Sequence, residues 1–306
     1  MPNHSVTPQD ATFRACIDQL WVFPIKSCAG VSLTQATLTE TGLAWDRAWM
    51  VVDAKGQMVT QRECPRMVLV HPELSRTALL VRSPGMPVLS VPLQATGDTT
   101  QVQVWNDQVP AFDMGDEAAT WFTRLLMSVE AAHQLAGPLR LVRFDTRHVR
   151  PSSAKWTQGH ETANQFSDGF PVLLASTASL NELNDRLINQ GHARADMRRF
   201  RANVVLRGAS QDSLMAHDED RVGMVTVHTH EGEVQLLPVK PCPRCPIPNI
   251  DPDTAVSQPV VSEALQVYRQ DARVNGAITF GMNAIPVTGV GRELRVGQWV
   301  SANWMF

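Results

Sequence analysis

Between Leu20 and Phe112 the chain consists of short apolar runs, each cut off by turn formers, and no stretch keeps a helical period. Trp49-Met50-Val51-Val52 and Gln57-Met58-Val59-Thr60 flank Asp53-Ala54-Lys55-Gly56, which is the pattern of a hairpin. Met67 to Val70, Ala78 to Val81, Val88 to Val91 and Val102 to Trp105 read as further strands, and Trp105 to Val109 as another tight turn. Strands at such short spacing predict a closed or strongly curved sheet. The 20 prolines and 18 glycines among 306 residues fit that many turns.

The period then changes. Asp116 is placed to cap a helix with Ala118, Trp121, Leu125 and Val129 along one face, and Gly137-Pro138 is its stop signal. This is the predicted boundary between two domains, residues 13–135 and 136–303. In the second domain Leu139 to Phe144 reads as a strand, followed by a long polar stretch to Gln165. Ser176 caps a second predicted helix carrying Leu180, Leu183 and Leu187, with Gly191 beyond its end. Asn203 to Leu206, Met224 to Val227 and Val234 to Leu237 are strand candidates, Ser262 to Gln270 is a short helix, and Leu294 to Val300 is a strand-like finish. The predicted class is α+β and β-rich: an N-terminal β-barrel-like domain, then a second β-barrel domain with a few peripheral helices. Residues 1–12 are polar and read as a frayed end.

Composition narrows the function. A formal charge of −3 argues against a nucleic-acid surface. No apolar run approaches the ~18 residues of a membrane span, and the polar start lacks a signal peptide, so no membrane contact and a cytoplasmic location are expected. Five cysteines, unevenly spaced, suit a reducing compartment better than a disulfide scaffold.

Four segments could carry chemistry. In Pro241-Cys242-Pro243-Arg244-Cys245-Pro246 the cysteine pair has several readings. It could be half of a zinc site completed by His228 and His230, a redox dithiol, a single thiolate ligand on a stiff loop, or two packed cysteines. Pro246 and Pro248 oppose the helix start that a dithiol needs, whereas Arg244 favours a thiolate. Lys26-Ser27, at a strand-to-turn junction near Gly30, suits an anion. Arg47 lies in an apolar run and needs a partner. On a strand its neighbour Asp46 would point the other way. Arg201 and Asn203 precede an apolar run, and strand alternation would turn both to one side.

Taken together these segments resemble the MOSC superfamily, in the branch where an N-terminal MOSC β-barrel domain precedes the MOSC domain and which includes the amidoxime-reducing components. The resemblance rests on Pro24-Ile25-Lys26-Ser27-Cys28, Asp46-Arg47, Asn164-Gln165-Phe166-Ser167-Asp168-Gly169, Phe200-Arg201-Ala202-Asn203 and Cys242-Pro243-Arg244-Cys245, and it covers the chain from about Cys16 to Ala302. It implies a molybdenum cofactor, Mo-molybdopterin, with Cys245 as the metal ligand at the catalytic centre and Cys242 behind it. Lys26, Ser27, Arg47, Arg201 and Asn203 match its phosphate and pterin contacts. Pro243 and Arg244 precede the ligand, and Asp168, Gly169 and Phe170 border the cofactor. Asn283 stands where eukaryotic members carry tyrosine, and Pro243 where serine is common. The implied activity is reduction of small N-hydroxylated or N-oxygenated compounds. Residues 1–12 are too short and polar for the membrane anchor of eukaryotic members, and no iron–sulfur cysteine cluster is present. Electrons are therefore expected from a separate protein of ferredoxin, cytochrome or flavoprotein type. The alternative is a MOSC-type carrier of sulfur or of the cofactor, without reductase activity.

Overall fold

The structure is a computed structural model that describes residues 12–127, 135–210 and 213–305. Its largest sheet closes on itself. Going around it, the strands are Val172–Ser176, Val204–Gly208, Thr12–Val22, Trp299–Trp304, Val222–Thr229, Gly232–Pro243 and Ala277–Thr288, and the last pairs back onto the first. All pairings are antiparallel except that of Val172–Ser176 with Val204–Gly208. The first strand of the chain is thus built into a barrel whose other strands come from the second half.

That first strand shows how sequence sets the barrel interior. Phe13, Ala15 and Ile17 point into one core by strand alternation. A bulge between Ile17 and Gln19 then shifts the phase, so that Leu20 and Val22 face the same core. Closure depends on Gly281. Its φ is +75°, and a Cβ there would lie 2.5 Å from the carbonyl oxygen of Leu174 on the facing strand.

The first half adds a four-stranded sheet, ordered Trp49–Val52, Arg140–Phe144, Asp107–Asp113, Thr99–Val104, and a meander of His71–Leu74, Ala78–Arg82 and Leu89–Pro92. Both faces of Trp49–Val52 are buried. Trp49 and Val51 enter a core with Leu79, Val81 and Trp121, while Met50 and Val52 enter another with Val104, Phe144 and Phe166. This explains a continuous apolar run instead of an alternating one. The α1 helix, Asp116–Leu126, lays Ala118, Trp121, Phe122 and Leu125 into the first of these cores, each large side chain contributing about 1.5–3 kcal/mol by leaving water. Its N-cap is Gly115, with Asp116 as the first helical residue, and Val129 lies outside the described residues, as do residues 1–11.

Two strand expectations need correction. Met67 to Val70 is not a strand: Pro65–Leu69 is a 3-10 turn, opened by a proline whose fixed φ favours that start. The hairpin after Val52 has only one regular arm, since Met58 meets Val52 as an isolated bridge. Leucines 183 and 187 of the α2 helix, Thr177–Asn189, pack outside the barrel with Val261 and Leu265 of the α3 helix, Val260–Gln266. Ser176 caps α2 by accepting from the Ser179 amide, as its position in the sequence predicts.

The same cap holds a buried acid. Glu219 accepts hydrogen bonds from Ser179 Oγ (2.6 Å) and Ser176 Oγ (2.9 Å). Burial, reinforced by neighbouring Asp220, raises its carboxyl to about 7. A carboxyl raised on folding binds its proton more tightly in the native state. The stability this brings is present below the ordinary value near 4.5 and is lost as pH rises through about 7. Glu219→Gln should therefore flatten the decline in thermal stability between pH 5 and 8, and raise Tm by a few degrees at pH 8, on the basis of about 1–3 kcal/mol. Equal decline in both proteins would show that Glu219 does not titrate there.

Candidate functional site

Three turns are sewn together where the two halves of the chain meet. The Lys26 amide donates to the Trp49 carbonyl (2.8 Å), the Arg47 amide to that of Phe23 (2.9 Å), and the Phe166 amide to that of Arg47 (3.1 Å). Ser27, Arg47 and Arg201 all adopt left-handed backbone, with φ of 66°, 50° and 59°. Such geometry turns side chains in directions that strands do not allow. Here they converge on one pocket.

Lys26, Ser27, Arg47, Asp168, Gly169, Phe170, Arg201, Asn203, Arg244, Cys245 and Asn283 all line this pocket, together with Cys242. Pro243 does not. It ends a barrel strand with its side exposed, while Cys242 and Arg244 on either side turn inward, the alternation expected of a strand. Arg62, Ser167, Leu173, Phe200 and Ile247 complete the lining. Ser167 and Phe200 sit inside motifs quoted above. Arg62 lies within a turn and carries no pattern that marks it.

Strand alternation is absent at two places where it was assumed, although Arg201 and Asn203 do reach the same pocket. Asp46 does not point away from Arg47: Arg47 Nη1 donates to Asp46 Oδ2 at 2.5 Å, because these residues form a turn and not a strand. Nor do Arg201 and Asn203 alternate on a strand. Arg201 closes the 3-10 turn Met197–Phe200, and the strand begins at Val204. Asn203 instead acts as a joint. Its Oδ1 accepts from Arg47 Nη1 (3.2 Å) and the Leu173 amide (3.1 Å), and its Nδ2 donates to the Trp21 carbonyl (3.2 Å).

The lining carries five cationic side chains against the single carboxylate of Asp168. Arg47 and Arg201 lie 4.5 and 4.2 Å from the same ring, that of Phe23. Burial, and then the charge of Arg47, push the Arg201 guanidinium down to about 9. Arg201 Nη1 donates to the Cys28 carbonyl (2.6 Å), but Nη2 is buried with no partner. Arg244 Nε is also buried and unpartnered, while Nη1 donates to Cys242 Sγ (3.1 Å) and Nη2 to the Phe200 carbonyl (3.0 Å). Lys26 donates to Asp168 (2.5 Å) and to the Phe166 carbonyl (2.8 Å). Burial lowers its ammonium, with Asp168 working the other way. Lys26 and then Arg62 hold the carboxyl of Asp168 well below the usual carboxylate range. Buried, unpartnered donors among like charges are costly unless an anion meets them. The arrangement suits an anion.

Among the described residues no three His, Cys, Asp or Glu side chains gather as for a metal ion. His228 is exposed, its Nε2 paired with Ser301 Oγ at 2.9 Å. The proline-rich Ile247–Asn249 turn after Cys245 is a single 3-10 turn, too short to supply a helix dipole. Both cysteines line the pocket, but Cys242 also packs against the core under α2 and α3, and Cys245 does not.

Comparison with known proteins gives the class. Residues 14–129 match the MOSC N-terminal beta barrel domain and residues 161–301 match the MOSC domain. The chain belongs to the MOSC family, in the branch that carries both domains. It is 34% identical over 268 residues to the rat mitochondrial amidoxime reducing component 2, covering 83% of this chain and 72% of that protein. With the human mitochondrial amidoxime-reducing component 1 it shares 32% over 269 residues, at the same coverage of each.

Proposed function

We propose that this protein is a molybdenum-cofactor oxidoreductase that reduces N-hydroxylated or related N-oxygenated compounds, with electrons from a separate donor protein. The observation that carries the reading is one pocket holding both the Cys245 thiol and the unpartnered Nη2 of Arg201, residues 44 positions apart in sequence. The residues fit the group. A phosphate terminus needs buried cationic donors, which Arg201, Arg244 and Lys26 offer, and a metal that brings its own sulfur ligands needs only one thiolate from the protein.

When bound, the cofactor supplies the two-electron chemistry that cleaves an N–O bond. The protein does the rest. Cys245 anchors the metal, and Arg201 with Lys26 and Ser27 holds the phosphate. Arg47 and Asn203 fix the turns that present them. Gly169 and Phe170 border the pterin, and Arg244 keeps Cys242 in place behind Cys245. All five cysteines are free, which suits a reducing compartment, and a cytoplasmic location is part of the proposal. No helix among the described residues is long and apolar enough to cross a membrane.

Metal and pterin analysis of the purified protein tests this directly, with molybdenum near one per chain as the expected result. Zinc at one per chain, or a persulfide without molybdenum, would sink it. The sequence contains neither an iron–sulfur cysteine cluster nor a nucleotide-binding glycine motif. The purified chain is therefore expected to reduce an amidoxime with reduced methyl viologen and not with NADH. Stoichiometric NADH oxidation by the pure protein would count against the separate donor.

A further inference from the structure

A tryptophan that does not itself line the pocket touches two residues that do, at a turn where hairpin chemistry would favour another residue. Trp105 opens the turn that joins Thr99–Val104 to Asp107–Asp113, and its φ is 55°. Asn or Gly enters that left-handed region readily, and a bulky aromatic avoids it. Three contacts hold it there. Gln103 Nε2 donates to its carbonyl oxygen (2.8 Å), its indole Nε1 donates to Asp168 Oδ1 (3.2 Å), and the Arg62 guanidinium lies 4.7 Å from its ring. Arg62 and Asp168 both line the pocket. The indole is thus fixed at its edge and on one side, yet the residue remains 42% exposed. A ring already immobilised and still open loses little ordering entropy when a flat group is laid against it.

We propose that Trp105 is a substrate-selecting platform at the pocket mouth, which stacks flat, conjugated N-hydroxylated compounds in preference to small ones without a π system. This rests on the reductase reading above. An amidoxime conjugated to an aromatic ring offers a π face to the indole. Its amino group offers N–H donors to the carboxylate of Asp168, whose side chain is 62% exposed beside the same indole. Hydroxylamine has donors but no π face, so it gains nothing from the ring.

The test uses the cofactor-loaded full chain with Trp105→Leu and Trp105→Phe, and benzamidoxime and hydroxylamine as substrates. In Trp105→Leu the ratio of kcat/KM for benzamidoxime to that for hydroxylamine is expected to fall about fivefold to tenfold, mainly through KM. Trp105→Phe restores a π face without the Nε1 donor and should recover most of the ratio. The Kd of benzamidoxime, measured without any electron donor, should weaken by the same factor in Trp105→Leu. An equal loss for both substrates, or an unchanged ratio with an unchanged Kd, overturns the platform while leaving the reductase reading intact. If the loaded wild-type protein reduces neither compound, the reductase reading fails and the platform fails with it.

Discussion

Serine in place of Cys245 is expected to abolish reductase activity, by on the order of a hundredfold or more, and to empty the protein of molybdenum while leaving its unfolding transition in place. The side chain faces the pocket and belongs to none of the hydrophobic clusters, so its loss removes a ligand and little packing. Cys242→Ala should do the reverse. That sulfur packs under α2 and α3 and accepts from Arg244, so its removal should cost about 1 kcal/mol of stability and lower activity by less than about tenfold. Metal content and activity measured on both variants decide between the readings. If the two behave alike, the metal is held by both cysteines, and the single-ligand site is wrong.

Individual strands were legible in the sequence because apolar runs cut off by turn formers leave a direct trace. The runs at Val204, Met224 and Val234 lie in barrel strands, and the run at Trp49, buried on both faces, is a strand of the four-stranded sheet. The barrel's closure was not legible. It requires the first strand to pair with strands some 190 and 290 residues further along, and no local pattern encodes such pairings. The site shows the same division. Its residues could be carried over from motifs, yet the reasons first given for their directions failed at Asp46 and Arg201, because positive φ at Trp45, Arg47 and Arg201 cancels the alternation that those reasons assumed. Local sequence does not announce a left-handed turn at arginine or tryptophan, since such residues adopt it only when the surrounding fold compels them. Arg62 and Trp105 escaped notice for a related reason. Each meets the site through a partner more than forty residues away, Asp168 for both.

Arg201→Gln should weaken cofactor retention by roughly tenfold to a hundredfold with a small effect on folding, which sets it apart from its neighbours. A charge-assisted hydrogen bond of ~1.5–3 kcal/mol sets that range. Arg201 is the cation whose Nη2 has no partner inside the protein, so what it offers is directed at a ligand. Arg47 differs. It pairs with buried Asp46 and donates to the carbonyl of Arg201, so Arg47→Gln strands a carboxylate in the interior and should cost about 3–5 kcal/mol of stability besides any loss of cofactor. Lys26→Gln lies between, since its ammonium holds Asp168 and the Phe166 carbonyl as well as facing the pocket. Exposed Arg76 is the control and should change neither property. Retention after gel filtration, read as pterin per chain, and urea midpoints measured on the ligand-free proteins separate the two effects. If Arg201→Gln keeps its pterin as firmly as Arg76→Gln does, the unpartnered Nη2 of Arg201 faces something other than the cofactor phosphate, and the anion site must be sought around Arg244 instead.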